Sequence, residues 1–121
     1  MLPKWFSAGV LCALAPFLVA ATLDQWRARA PRWQITSART FLELEGCLGS
    51  KWAGTLSARI DAMPIERGMS YVNMGPNRDI LVDLTDDGDR RTIKLWLRSF
   101  VGITVGAKEQ IEKLNNCAIG T

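Results

Sequence analysis

Cys47 and Cys117 stand seventy residues apart, one near each end of the stretch whose hydrophobicity is periodic. A bond between them would tie the first periodic segment to the last and close nearly the whole domain into one loop. Whether the bond forms depends on the compartment, because thiols pair in oxidising spaces and stay reduced in the cytosol. In the chain-entropy model, a loop this long would stabilise the native state by about 4 kcal/mol. That is a large share of the roughly 5–15 kcal/mol that holds a small domain together. Two free buried thiols in a cytoplasmic protein are the other outcome. A catalytic thiol is a poor reading, since there is no Cys-x-x-Cys and no histidine to activate a thiolate.

The first 21 residues speak to the compartment. Lys4 supplies a positive start, Trp5 to Val19 carries no charge, and Val19-Ala20-Ala21 offers small residues for a peptidase. This is the layout of a secretory signal peptide, with cleavage expected after Ala21. Pro16 would break a helix near that cut. The apolar run is at the bottom of the range for a membrane span, so an uncleaved N-terminal anchor is the alternative. For an anchor, Arg27, Arg29 and Arg32 beyond the run would draw the domain into the cytoplasm. Thr22 to Trp26 carry no base, which leaves translocation unobstructed. Export to the periplasm or medium is therefore the expectation. It takes the third cysteine, Cys12, away with the leader; Leu11 before it is too bulky for a lipoprotein signal.

The chain has 121 residues, 48% of them hydrophobic and 22% charged, as in ordinary globular domains. It has no histidine at all. Ser-His-Asp and Cys-His nucleophile systems and histidine-ligated metal sites are thereby excluded. Loss of Lys4 with the leader leaves a charge close to balance, and export separates the chain from the genome, so nucleic acid is not an expected partner.

Three regions follow from the pattern: a signal peptide at 1–21, a short helix and connector at 22–36, and a single α+β domain at 37–118. Thr22 and Gln25 have capping-box spacing for the short helix, which Pro31 must end. Ser37 or Thr36 can cap the next helix, whose Phe41, Leu44 and Leu48 share a face with Cys47, and Gly49 can close it. The period then changes to two. Leu56, Ala58, Ile60 and Ala62 predict a strand that Pro64 limits, and Glu66-Arg67-Gly68 predicts a turn. Met69–Met74, the Ile80/Val82/Leu84 set and Thr92–Arg98 are further strands, with an Asp86–Asp89 hairpin turn whose Asp-Gly suits positive φ. Ile111, Leu114, Cys117 and Ala118 stripe a last helix, supported by a Glu109–Lys113 pair. The expected fold is helix, three- or four-stranded antiparallel sheet, helix, with both helices on one face and bonded through Cys47–Cys117.

The segment Cys47-Leu48-Gly49-Ser50-Lys51-Trp52 is C-x4-W at the end of a helix, followed by short strands and a closing helix ending in Asn116-Cys117. Over about residues 37–118 this resembles small exported proteobacterial proteins, periplasmic or lipoprotein-like, that carry a C-x4-W segment and a C-terminal cysteine. The resemblance implies export and a disulfide. It implies no activity, so no catalytic residue is carried over.

Candidate sites are few, and no catalytic residue, metal site or cofactor is expected. Asp83, Asp86, Asp87 and Asp89 lack the glutamate of an EF-hand, and a solvated hairpin tip suits them better. Glu43 and Glu45 face apart on a helix and lie too close on a strand to serve as a hydrolytic pair. Lys94, Trp96 and Arg98 alternate away from Ile93, Leu95 and Leu97, so an aromatic between two bases would sit on the uncovered sheet face. Tryptophan and arginine are enriched at the centres of interfaces, which makes this a candidate patch for a protein partner. Packing of Trp96 under the N-terminal segment, against Trp33 or Tyr71, is the competing structural role. Trp26, Arg27, Arg29, Arg32 and Trp33 form a basic aromatic segment suited to an anionic membrane surface or a partner; otherwise it is a solvated linker. The expectation is a non-enzymatic interaction domain, then a membrane-associated envelope protein, then a small hydrolase.

Overall fold

The computed structural model describes residues 23–56, 59–73, 80–97 and 106–120. The chain divides into two compact units, Met1–Ala30 and Pro31–Thr121. The proposed leader and its cleavage site, and the cap at Thr22, lie outside the described residues. In the first unit residues 23–27 are helical. Leu23 and Trp26 are buried there, and Arg27 reaches back to Asp24 at 3.6 Å.

In the second unit the described elements are β1 (Trp33–Ser37), α1 (Phe41–Cys47), a π turn (Leu48–Trp52), a 3₁₀ turn (Ala53–Thr55), β2 (Ile60–Ile65), β3 (Gly68–Asn73), β4 (Ile80–Asp86), β5 (Arg91–Leu97) and α2 (Ala107–Ile119). Among the described residues the strands form one antiparallel sheet in the order β1-β5-β4-β3-β2. The α+β class stands, with five strands in place of three or four. The added strand is β1, on residues read from sequence as connector. Trp33 and Ile35 alternate with Gln34 and Thr36, and Ile35 pairs with Ile93 across the β1–β5 ladder. A strand partner far along the chain, Ile93 for Ile35, gives this short run what its local sequence could not.

Two boundaries also move. The first helix is capped by Thr40 rather than Thr36 or Ser37: the Thr40 hydroxyl accepts from the Glu43 N–H, and Glu43 reciprocates at the Thr40 backbone. It does not stop at Gly49 but widens into the π turn and then tightens into the 3₁₀ turn. The first expected strand begins at Ile60 and runs through Pro64. Proline is tolerated there because β2 is an edge strand, where a missing donor need not break a ladder. In the β4–β5 turn only Gly88 has positive φ (98°), with no matching aspartate.

Sheet register sorts the residues onto two faces. Tyr71, Val82, Leu84, Ile93 and Leu95 fall on one of them. They join Leu44, Leu48 and Trp52 from the first helical segment and Leu114, Cys117 and Ala118 from α2 in a single apolar cluster. The Cys47–Cys117 disulfide closes that cluster, with the two Cα atoms 5.7 Å apart. β1 is fixed to α2 as well: the Ser37 hydroxyl donates to the Ala118 carbonyl at 2.6 Å, and Arg39 Nη1 to the Cys117 carbonyl at 2.7 Å.

Candidate functional site

The opposite sheet face holds the residues singled out as an interaction patch. Its central row is Val72, Leu81 and Trp96, set side by side across β3, β4 and β5. The neighbouring row is polar: Ser70, Asp83, Lys94 and Gln34. Alternation along each strand produces both rows, and an antiparallel sheet with only one apolar face would have neither hydrophobic row nor buried acid here. Yet Val72, Leu81 and Ser70 have no exposure, Asp83 keeps 5% and Trp96 keeps 7%. The centre of this face is therefore covered in the full chain, not open as the alternation alone suggested. Lys94 is half-buried beside it. Arg98 lies outside the described residues. A buried aspartate flanked by a serine and a lysine at register positions is a polar strip inside an apolar surround, and sequence periodicity gave no sign that it would be buried.

The basic aromatic segment is distributed between the two units. Trp26 and Arg27 sit on the helical turn of the first unit, with Arg29 exposed just after it. Arg32 and Trp33 belong to the second unit. There Trp33 packs against the apolar cluster from β1, while Arg32 is exposed and its N–H donates to the Leu95 carbonyl at 2.7 Å. Trp33 is thus committed to the core rather than presented with the arginines.

The core contains one polar constellation that sequence reading missed. Trp52 is fully buried, its indole N–H donates to Gln110 Oε1 at 2.6 Å, and Tyr71 meets its ring edge-on with centroids 5.9 Å apart. The Tyr71 hydroxyl has no hydrogen-bond partner among the described residues. Burial pushes its pKa up to about 12, and the negative charge of Glu45 adds to the shift. C-x4-W marked Trp52 as unusual, but only the continued helical path beyond Gly49 turns it inward.

The acidic residues are used by the fold. Asp86 accepts from the Gly88 N–H and pairs with Arg91, while Asp87 accepts from the Thr92 hydroxyl. Glu43 is held below the usual carboxylate range, first by the Thr40 hydroxyl, then by the Thr40 backbone and Arg39. Among the described residues no group of acids or cysteines could hold a metal ion, and no helix is long and apolar enough to cross a membrane.

No family model, curated protein or solved structure matches this chain.

Proposed function

We propose that this chain is an exported α+β domain that acts by binding a protein partner, without catalysis, in the periplasm or outside the cell. Both helices roof one sheet face, and the face around Lys94, Trp96 and Arg98 meets the partner once the cover that buries Val72, Leu81 and Trp96 is displaced. The single observation that carries this reading is the second apolar row, Val72–Leu81–Trp96. The cluster that includes both helices does not contain these three residues. A sheet served by one layer of helices needs no second row of this kind. The disulfide supports export, as does the C-x4-W resemblance to small exported proteobacterial proteins.

Photo-crosslinking from position 94 in the native envelope tests the proposal. A discrete adduct that disappears in Trp96→Ala, with the fold retained by circular dichroism, is expected. Absence of any adduct, or an adduct indifferent to Trp96→Ala, contradicts it. The alternative, docking of the Trp26–Trp33 segment on anionic membrane, has the exposed Arg29 and Arg32 in its favour. Flotation with anionic vesicles at low salt separates the two, since binding abolished by Arg29→Gln/Arg32→Gln would select the membrane.

A further inference from the structure

The start of α1 and two hairpin ends of the second unit meet around a cavity of about 610 Å³, lined by Phe41, Arg67, Gly68, Asp86, Asp87 and Gly88. That volume lies within the range of small-molecule sites, about 300–1,000 Å³. Phe41 opens α1, Arg67 lies in the β2–β3 turn with Gly68 opening β3, and Asp86 ends β4 with Asp87 and Gly88 in the turn after it. The walls are hydrogen-bonded to one another. Arg91 Nε donates to the Arg39 carbonyl at 2.7 Å and its Nη2 to the Ala38 carbonyl at 3.0 Å, while Nη1 reaches the Gly88 carbonyl at 3.2 Å. The Asp86 N–H donates to the Arg67 carbonyl at 2.7 Å, which joins the two turns. A cavity framed this way needs little ordering when a ligand enters.

Its chemistry is mixed in a specific manner. Phe41 is a half-buried apolar wall. Asp86 is occupied by Arg91 and Gly88, and Asp87 Oδ2 by Thr92, which leaves Asp87 Oδ1 to accept. Arg67 is exposed and has no ion-pair partner among the described residues. It also occupies left-handed backbone, φ 62°, where glycine or asparagine would serve the turn with less strain. Its neighbour Gly68 cannot carry a side chain, because a Cβ there would meet the Leu84 carbonyl. The Arg67 backbone thus takes its place at the cavity at a conformational cost, with its side chain exposed.

We propose that this cavity binds a free α-amino acid with an apolar side chain, its carboxylate on Arg67, its ammonium on Asp87 Oδ1 and its side chain against Phe41. A guanidinium suits the planar carboxylate, and one acceptor beside it suits the ammonium. The site lies at the hairpin ends and uses none of the residues on the Lys94/Trp96 face.

Amide NMR spectra of the full chain, titrated with phenylalanine, test the proposal. Phenylalanine should shift the Arg67, Gly68, Asp87 and Gly88 amides saturably. 3-Phenylpropanoate, which lacks the ammonium, and 2-phenylethylamine, which lacks the carboxylate, should each bind at least tenfold more weakly. Arg67→Gly suits the backbone and should preserve the spectrum while weakening phenylalanine at least tenfold. No saturable shift with phenylalanine overturns the proposal, as does unchanged affinity in Arg67→Gly or equal affinity for either comparator.

Discussion

The two faces of the sheet are built on different terms. On one, Tyr71, Val82, Leu84, Ile93 and Leu95 meet Leu44, Leu48, Trp52 and Leu114 in a single apolar cluster closed by a disulfide, with the Trp52–Gln110 hydrogen bond and the Tyr71 hydroxyl as polar exceptions. On the other, Val72, Leu81 and Trp96 lie beside Ser70, Asp83 and Lys94, so a polar row runs along an apolar one. Burial of hydrocarbon is non-directional and tolerant, whereas a buried acid and serine demand particular partners. The first face is suited to holding the fold. The second, buried in its turn, is the face proposed to meet a partner.

The largest effect that could break this contrast is at Trp52. Trp52→Ala empties a fully buried site and orphans Gln110, so it should cost about 3–5 kcal/mol in urea unfolding. Trp96→Ala should cost clearly less. Equal losses would make the second face an ordinary core. Next, Cys47→Ala with Cys117→Ala releases the longest loop in the chain and should lower stability by about 2–4 kcal/mol, again read from the urea midpoint.

A pH measurement sharpens the account of the first face. The chain has a single tyrosine, so tyrosinate absorbance reports Tyr71 alone. It should titrate at about 12 in the folded protein and near 10 after unfolding. Because the folded form holds its proton longer, this contribution is complete below pH 10 and is lost as pH rises from there through about 12. Folded-state titration at the ordinary value would mean that Tyr71 is wet. The smallest effect expected is at the first helix. Thr40→Ala removes the capping box and should cost about 1 kcal/mol, with the rest of the fold unchanged.

Much of the first face was legible beforehand. The period-two runs gave Val82, Leu84, Ile93 and Leu95, and the 3.6-residue stripe gave Leu44, Leu48, Leu114 and Cys117. The Glu109–Lys113 pair is also present, at 3.3 Å. What failed was local signal outweighed by distant pairing. Trp33–Ser37 alternates correctly for a strand, but it is short and follows Pro31; its partner in β5 decides its conformation. Thr40 and Glu43 already had capping-box spacing, yet Thr36 and Ser37 are equally good caps when nothing else is known. Pro64 suggested a stop because periodicity cannot say which strand lies at an edge. Burial of Leu81, Asp83 and Trp96 was illegible for a related reason. Alternation assigns residues to two faces, and it cannot say that both are covered. The cavity residues Phe41, Arg67 and Asp87 come from a helix start and two separate hairpin turns, which no spacing rule brings together.

The central claim is that α1 and α2 are bonded across one sheet face in a chain that has left the cytosol. Alkylation of native envelope material, without reductant and followed by intact-mass measurement, tests this most directly. The account predicts a chain beginning at Thr22, two protons lighter than its reduced form, with neither Cys47 nor Cys117 alkylated. A chain alkylated at both cysteines would contradict it.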